Sequence, residues 1–252
     1  MNGTCLVTGA AGGIGEFVCR RLADEGFRVL AADLSLKAAA RVVAGLPGEG
    51  HRAIALNVAD EAAVAAAFAE AEALDAPIDQ VVAAAGILLF AANGERPPIT
   101  DITLADWDRT QTVNSTGTFL LLREYLRGAN RRRIENGRFV GFSSVAAQLG
   151  GYRSSSAYIA SKGAVMALIK AGARESAHLG ITVNAVAPGL IDAPMLRLSL
   201  PPENDATAAA NIPLNRIGTP EDVAGAVAFL MGADASYITG AVIDVNGGYR
   251  MQ

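Results

Sequence analysis

The chain has 252 residues, of which 51% are hydrophobic and 18% charged, so it is long and apolar enough for one large domain or two small ones. Its formal net charge of −4 and its pI near 5.3 argue against a nucleic acid or an anionic membrane as the main partner. Two cysteines and two histidines form neither a disulfide framework nor a zinc-ligand cluster, so no metal site is predicted. No leader peptide and no membrane-spanning run is visible, and we therefore expect a soluble, cytoplasmic protein.

Short apolar runs alternate along the chain with longer segments of helical period. The predicted strands are Thr4–Val7, Arg28–Ala32, Ala53–Leu56, Gln80–Ala83, Arg138–Phe142, Ile181–Val186 and Ala241–Val245. Most of these runs are apolar throughout rather than alternating, which indicates strands that are covered on both faces.

Helical segments lie between the predicted strands. The first carries Ile14 and Leu22 on one face and ends at Gly26, and another begins at Thr219, which a proline and two acids follow. This order predicts an α/β fold: a single-domain Rossmann-like doubly wound parallel sheet of about seven strands, with helices on both faces, over residues 1–252.

Two segments follow neither pattern and are predicted to be irregular, Leu88–Thr103 and Pro194–Ile217. In a doubly wound sheet such loops lie near the carboxyl ends of the strands, where ligands bind. The second segment has few charges, and we predict that residues 194–217 form a mobile, apolar substrate-binding flap.

A glycine-rich turn follows the first predicted strand. In "VTGAAGGIG", Gly9, Gly13 and Gly15 lie between that strand and the first helix. Glycines allow a tight turn and a close approach to a pyrophosphate, and the helix N-terminus offers free N–H groups and the positive end of its dipole. Glycines also pack helices against strands, but the strand–turn–helix setting favours dinucleotide binding.

Asp33 ends the second strand, eighteen residues after Gly15. A carboxylate at this place accepts hydrogen bonds from both hydroxyls of an adenosine ribose and repels a 2′-phosphate. Leu34 follows it, so no adjacent arginine balances the charge. The arrangement predicts NAD as the cofactor rather than NADP, with a turn or helix-capping aspartate as the alternative interpretation.

A tyrosine and a lysine, Tyr158 and Lys162, lie four residues apart behind a run of serines. Such a pair occurs by chance in many helices, but here other motifs accompany it. They are "TGAAGGIG", "NVAD", "AAAGI", "VNSTGTF", "SSVAA", "YIASK", "NAVAPGLIDAPM" and "GTPEDVA". In this order, and over essentially the whole chain, they resemble the short-chain dehydrogenase/reductase family in its compact single-domain form.

The resemblance implies four catalytic residues. Tyr158 would be the general acid/base that takes a proton from a substrate hydroxyl as hydride leaves for the nicotinamide. Lys162, one helical turn on, would favour the phenolate by its positive charge and also hold the nicotinamide ribose. Ser144 would donate a hydrogen bond to the reacting oxygen, with Ser143 as the less favoured alternative. Asn114 would kink its helix and hold a water that links Lys162 to solvent.

The resemblance also implies the contacts of the cofactor. They fall on Gly9, Gly13, Ile14, Gly15, Asp33, Asn57, Val58, Ala85, Gly86, Tyr158, Lys162, Pro188, Gly189 and Ile191. Asn57 stands where the family more often has aspartate beside the adenine. Ala83 and Ala84 replace asparagines, and Ala193 replaces a threonine that bonds the carboxamide. Each lost hydrogen bond would cost about 1 kcal/mol.

Together these features predict an NAD(H)-dependent oxidoreductase that interconverts a secondary alcohol and a ketone. The family alternatives are 3-oxoacyl-acyl-carrier-protein reductases, which usually prefer NADPH, and NAD-dependent 3-hydroxyacyl-CoA or hydroxysteroid dehydrogenases, which "NGERPPITDIT" and "GGYRMQ" resemble. A non-catalytic dinucleotide-binding protein would lack part of the catalytic set, and a sugar-nucleotide epimerase would carry a larger C-terminal domain; neither is favoured.

The substrate and the assembly are less sharply predicted. The few charges of segment 194–217 indicate an apolar or weakly polar alcohol as the small-molecule partner. Members of the family are commonly tetramers, and the apolar helix Val223–Met231 leads us to expect a homotetramer.

Overall fold

Seven parallel strands form the centre of this computed structural model, which describes residues 3–74, 76–91 and 94–251. The strands are β1 (Thr4–Thr8), β2 (Arg28–Asp33), β3 (Arg52–Ala55), β4 (Gln80–Ala83), β5 (Arg138–Phe142), β6 (Thr182–Pro188) and β7 (Val242–Val245). Their order across the sheet is β3-β2-β1-β4-β5-β6-β7. All seven predicted strands are confirmed: the bounds of β4 and β5 are as predicted, and those of the others differ by one or two residues.

Helices cover both faces of this sheet. They are α1 (Gly13–Asp24), α2 (Leu36–Ala44), α3 (Glu61–Ala73), α4 (Leu104–Gln111), α5 (Gly117–Arg131), α6 (Val145–Leu149), α7 (Ser156–Ser176), α8 (Pro194–Arg197), α9 (Asp205–Ala209) and α10 (Pro220–Met231). A π-helical turn, Thr112–Thr116, joins α4 to α5. Capping side chains fix several helix starts. For example, Ser155 accepts a hydrogen bond from the Tyr158 N–H at α7, and Thr219 forms a capping box at α10.

Two apolar cores lie on the two faces of the sheet. Val81 of β4 belongs to the core that contains residues of α3, α5 and α7, whereas its neighbour Val82 belongs to the core formed with α1, α2 and α10. Because successive side chains of a strand point to opposite faces and both faces are covered, the strands are continuous apolar runs. Each buried Val or Leu contributes about 1.5–3 kcal/mol to this packing.

Both cysteines are structural. Cys5 and Cys19 are free and buried in the second core, and burial raises the pKa of the Cys19 thiol to about 12. Within the described residues, no three His, Cys, Asp or Glu side chains converge as a metal ligand set. No helix of that part of the chain is long and apolar enough to span a membrane.

The strand order places a crevice in the middle of the sheet, at the carboxyl ends of β1 and β4. The chain runs outward from β1 through β2 to β3 and then returns to β4 on the other side of β1, so the winding direction reverses between β1 and β4. In open α/β sheets ligands bind at this reversal, outside the carboxyl ends of the strands. The glycine turn after β1 and the loop after β4 both lie there.

The segment 194–217 is more ordered than its sequence predicted. It contains α8, a 3-10 helix at Pro202–Asn204, and α9. Arg197 forms ion pairs with Asp192 and Asp205, at 2.7 and 2.6 Å, which fix α8 against its flanking residues. The prediction of an irregular segment is therefore wrong for these residues, because ion pairs and a proline at the start of α8 stabilise short helices there.

The segment Leu88–Thr103 stays mostly irregular. Its described part contains a 3-10 helix at Ile99–Asp101, and residues 92 and 93 lie outside the described residues.

Candidate active site

A cleft of about 630 Å³ opens at the carboxyl ends of the strands. Every residue that was predicted to contact the cofactor lines this cleft, and so do the predicted catalytic residues Ser144, Tyr158 and Lys162. The fourth predicted catalytic residue, Asn114, is fully buried and does not line it. The fold thus brings residues from distant parts of the chain to one cleft of the size of a ligand site.

The turn between β1 and α1 contains three glycines that are needed for different reasons. Gly9 has a φ of +66°, and a Cβ on it would lie 2.8 Å from the Ala85 Cα. A Cβ on Gly15 would collide with the Gly9 carbonyl oxygen. A Cβ on Gly13 would lie 2.6 Å from the Pro194 Cδ, so this glycine allows α8 to approach the turn. The contact of Gly13 with α8 was not predicted from the motif.

The start of α1 fits a pyrophosphate. Its N-terminus has no capping side chain, and Gly13 and Ile14 line the cleft beside it. The N–H groups of the first helical turn and the positive end of the helix dipole therefore remain available to an anion.

The Asp33 carboxylate is held at the end of β2. One oxygen accepts a hydrogen bond from the Ala11 N–H at 3.1 Å, and the other accepts one from the Ser35 N–H at 3.3 Å. Ser35, not Asp33, is the N-cap of α2, where its hydroxyl accepts from the Ala38 N–H at 3.2 Å. The carboxylate is therefore not the N-cap of α2; its bond from the Ser35 N–H is that of an Asx turn, and it also lines the cleft, where a ribose could reach it.

Asn57 and Val58 form the wall next to Asp33. The Asn57 Oδ1 accepts a hydrogen bond from the Ala59 N–H at 3.1 Å, and its amide N–H groups are still able to donate. Val58 is buried, and a Cβ on Gly117 would lie 2.9 Å from its Cγ2. An adenine fits this wall, because an apolar surface and one amide donor lie side by side.

Tyr158 and Ser144 meet at the other end of the cleft. Tyr158 lies in the first turn of α7, and Ser144 is the N-cap of α6, where it accepts from the Ala146 N–H at 3.1 Å. Burial raises the pKa of Tyr158, and a hydrogen bond with the Ser144 hydroxyl lowers it in part. Ser143 instead donates to the carbonyl oxygen of Lys162 at 3.1 Å. The structure therefore places Ser144, and not Ser143, beside the phenol.

Lys162 lies one helical turn after Tyr158, with its Nζ 5.7 Å from the centroid of the tyrosine ring. The Nζ donates a hydrogen bond to the Phe142 carbonyl oxygen at 2.9 Å. Burial lowers the pKa of Lys162 to about 8, so the ammonium keeps its charge at neutral pH. A positive charge here favours the phenolate and opposes the effect of burial on Tyr158.

Asn114 joins the loop after β4 to α7 from behind the cleft. It accepts from the Ile87 N–H at 2.8 Å and donates to the Ile87 carbonyl oxygen and the Ser161 hydroxyl, both at 3.0 Å. A Cβ on Gly86 would lie 3.3 Å from both the Asn114 Oδ1 and the Lys162 Nζ, so the glycine leaves room for these polar groups. The kink predicted at Asn114 takes the form of the π-helical turn. The water that it would hold stays a prediction.

The residues after β6 form the wall opposite the glycine turn. They include the predicted nicotinamide contacts Pro188, Gly189 and Ile191. Leu190 and Asp192 make the backbone hydrogen bonds to Gly218. In a parallel bridge of this kind the N–H and C=O of the central residue, Ile191, point away from Gly218 and stay available to a ligand.

The alanines that depart from the family pattern leave few side-chain hydrogen bonds in their place. Ala83 is 2% exposed and packs in the first core, and the Ala85 N–H donates a weak hydrogen bond to the Thr8 hydroxyl at 3.4 Å. Ala193 is the N-cap of α8 and gives it no side-chain cap. A threonine there would accept a hydrogen bond from that helix, so the start of α8 is less stable in this chain.

Sequence reasoning missed two arginines that line the cleft, Arg109 of α4 and Arg153 just before α7. Neither lies in a recognisable motif, and their distance from the cleft depends on how the helices pack. No local signal in the sequence could have placed them there.

Comparisons with known proteins find relatives over nearly the whole chain. The family model described as Enoyl-(Acyl carrier protein) reductase matches residues 9–250. Cis-4-hydroxycyclohexanecarboxylate dehydrogenase from Sinomonas cyclohexanicum is 38% identical over 97% of this chain and 95% of that protein. The 3-oxoacyl-[acyl-carrier-protein] reductase FabG from Thermotoga maritima is 36% identical over 97% of this chain and 96% of that protein.

A solved structure confirms the fold. The crystal structure of ribose-5-phosphate isomerase from Brucella melitensis 16M matches with a TM-score of 0.87 and 30% identity, over 98% of this chain and 91% of that chain. The activity named for that protein differs from those of the two relatives, so the fold by itself does not identify the reaction.

Proposed function

Since the chain belongs to the short-chain dehydrogenase/reductase family, whose members are oxidoreductases that bind a nicotinamide dinucleotide, we propose that it interconverts a secondary alcohol and a ketone with NAD(H). The observation that carries the proposal is the convergence of Tyr158, Ser144 and Lys162 in one cleft with Asp33, which ends β2 three strands away from β5. A dinucleotide laid across these strand ends would have its reactive end next to the phenol.

In the oxidation direction, Tyr158 accepts the proton of the substrate hydroxyl while the carbon–oxygen double bond forms. A bound nicotinamide supplies the acceptor for the hydrogen that leaves carbon with its electron pair. Ser144 donates a hydrogen bond to the substrate oxygen, whose negative charge grows as the proton leaves. Lys162 stabilises the phenolate that receives the proton, and in the reverse direction Tyr158 returns the proton to the ketone oxygen.

Asn114 has a positioning role in this scheme. Through its hydrogen bonds to Ile87 and Ser161, it fixes the loop after β4 relative to the helix that carries Tyr158 and Lys162. These bonds support the inclusion of Asn114 in the catalytic set, although it touches neither the cleft nor a ligand.

NAD(H) rather than NADP(H) is supported by Asp33. Its carboxylate is fixed by two backbone N–H groups, and Leu34, 75% exposed, follows it at the cleft where an NADP-binding site needs a cation. A 2′-phosphate would therefore meet a negative charge that nothing in its immediate sequence neighbourhood balances.

The substrate that we propose is an alicyclic alcohol, and residues 194–217 are its binding flap. Met195 and Leu196 of the flap line the cleft together with Val145 and Leu149 of α6. These apolar walls suit a hydrocarbon ring, and the relative from Sinomonas cyclohexanicum is named for a cyclohexane alcohol.

Reduction of a 3-oxoacyl group is the second candidate. It is favoured by the 36% identity to the reductase from Thermotoga maritima, which is named for that reaction. The same tyrosine, serine and lysine would serve it, because a 3-oxoacyl group is also a ketone.

The assembly that we propose is a homotetramer in the cytoplasm. Large apolar side chains are exposed on two separate surfaces: Leu104, Trp107 and Phe119 near the junction of α4 and α5, and Phe229 and Tyr237 near α10. Two apolar surfaces allow two different dimer contacts, which together build a tetramer.

The proposal is tested by following NADH formation with a panel of alcohols. We expect turnover of cis-4-hydroxycyclohexanecarboxylate and related alicyclic alcohols with NAD, and slower turnover with NADP. A polyol, a sterol and 3-hydroxybutyryl-CoA complete the panel. Faster turnover of 3-hydroxybutyryl-CoA would favour the second candidate, and no turnover of any alcohol by a chain that binds NAD would contradict the proposed function.

A further inference from the structure

The substrate end of the cleft carries a positive charge that the proposed proton transfer does not use. Arg153 lies between α6 and α7, five residues before Tyr158, and its side chain is exposed where it lines the cleft. Its Nη1 donates a hydrogen bond to the carbonyl oxygen of Ser199 at 2.8 Å. This bond connects the loop before α7 to the flap and restrains the guanidinium beside Ser199.

Most of the hydrogen-bonding capacity of Arg153 remains available. A guanidinium has five N–H donors, and the contact with Ser199 uses one of them. Among residues 3–74, 76–91 and 94–251, no carboxylate lies within 4.0 Å of it as an ion pair. Arg197 of the flap differs in this respect, because Asp192 and Asp205 occupy its guanidinium.

The position of Arg153 assigns it to the substrate rather than to the dinucleotide. It lies on the same segment of chain as Tyr158 and next to the flap, whereas the predicted pyrophosphate and ribose groups, the start of α1 and Asp33, lie along the glycine turn. Apolar side chains also line this cleft, among them Leu149 of α6 and Leu196 of the flap. A ligand in the cleft would therefore meet a proton acceptor, a hydrocarbon surface and a cation.

We propose that Arg153 binds the carboxylate of the substrate and makes the enzyme selective for hydroxy acids and keto acids. The proposal rests on the proposed function, since it names the class of alcohol that Tyr158 would act on. A carboxylate matches the planar fork of a guanidinium and forms two parallel hydrogen bonds with it. Because Arg153 also holds the flap at Ser199, the same residue that selects the anion helps to close the site over it.

The test compares a charged and a neutral ligand of the same shape. Binding of cyclohexanecarboxylate and cyclohexanecarboxamide to the NADH-loaded protein is measured by calorimetry for the wild type, Arg153→Gln, Arg153→Lys and Arg109→Gln. Glutamine keeps an N–H donor for Ser199 but lacks the charge, and lysine restores the charge without the fork. Arg109→Gln removes an equal charge from another part of the cleft.

We expect Arg153→Gln to weaken the binding of cyclohexanecarboxylate about tenfold or more and to leave the affinity for cyclohexanecarboxamide nearly unchanged. Arg153→Lys should restore part of the difference, and Arg109→Gln should leave the ratio of the two affinities as in the wild type. Equal losses for both ligands, or no loss for either, would overturn the role of Arg153. That role would also be overturned if Arg109→Gln, and not Arg153→Gln, removed the preference for the anion.

Kinetics separate this inference from the proposed function. With cis-4-hydroxycyclohexanecarboxylate and its amide as substrates, Arg153→Gln should raise KM for the acid alone and retain most of kcat. If the wild type turns over no alcohol of the panel, the proposed function fails, while the binding comparison still decides the role of Arg153. If Arg153→Gln instead weakens the binding of acetoacetyl-CoA and leaves KM for the hydroxy acid unchanged, the anion that Arg153 binds is a carrier phosphate. The carboxylate proposal is then wrong.

Discussion

Replacement of Tyr158 by phenylalanine is expected to lower kcat for alcohol oxidation by about 10²–10⁴-fold, the usual contribution of a positioned general acid or base. The phenol is buried against Ser144, and removal of its hydroxyl leaves the substrate proton without its acceptor. The ring itself remains, so the shape of the cleft and its affinity for NAD should change little. Steady-state kinetics and NAD titration by fluorescence measure the two effects separately.

The matched control for this variant is Tyr125→Phe. Tyr125 is fully buried, and its hydroxyl donates a hydrogen bond to the Asp79 carbonyl oxygen at 2.6 Å, away from the cleft. Its replacement should lower the free energy of unfolding by about 1 kcal/mol and leave kcat as it is. If Tyr158→Phe retains wild-type turnover while Tyr125→Phe behaves as stated, the proton-transfer role of Tyr158 is wrong.

The pH dependence of turnover follows from the same pair of groups. Burial raises the pKa of Tyr158 above its usual value, so at neutral pH the phenol of the ligand-free chain holds its proton. Oxidation of the alcohol needs Tyr158 to accept a proton, so the rate of oxidation should rise with pH. The rise should hold as long as Lys162, whose pKa is about 8, keeps its positive charge. In Tyr158→Phe the residual rate should lack this rise.

Replacement of Asp33 is expected to change the ratio of kcat/KM for NAD to kcat/KM for NADP by at least about tenfold. The reason is that a carboxylate opposite a phosphate costs several kcal/mol of binding free energy. In Asp33→Ala, KM for NAD should rise, since the ribose loses its acceptor, and KM for NADP should fall, since the repulsion disappears. The ratio of kcat/KM for the two cofactors measures the change.

Asp33→Asn is the control for this experiment, because the Asp33 carboxylate also supports the turn through the Ala11 and Ser35 N–H groups. The amide keeps an oxygen for Ala11 and removes the charge. We expect it to narrow the preference for NAD with a smaller loss of NAD affinity than the alanine variant shows. A wild type that already prefers NADP would contradict the assignment of Asp33 to the ribose.

The fold, the glycine turn and the place of Asp33 could be predicted from local sequence because each depends on local chemistry, whereas most other cleft positions followed from the resemblance to the family. Continuous apolar runs indicated strands covered on both faces, and the two cores that share β4 confirm that interpretation. Asp33 was placed at the end of its strand by sequence alone, and it ends β2 in the structure. Ser155, one of the serines before Tyr158, is the N-cap of α7.

Other features could not be predicted because they depend on contacts between distant residues. Gly13 belongs to the glycine motif, yet its missing side chain makes room for Pro194, which lies far along the chain. The order of the flap depends on Arg197 and its two carboxylate partners, and the position of Arg153 depends on the flap. Such contacts exist only after the chain has folded, so spacing along the sequence gives no sign of them.

The most direct test of the central claim follows one hydrogen atom. The panel alcohol with the highest turnover is prepared with deuterium on its carbinol carbon and mixed with the enzyme and NAD in ordinary water, and the NADH is analysed by mass spectrometry. If the site transfers hydride from the alcohol carbon, each NADH that forms carries one deuterium. NADH without deuterium would show that its hydrogen comes from another source, and the assigned reaction would be wrong.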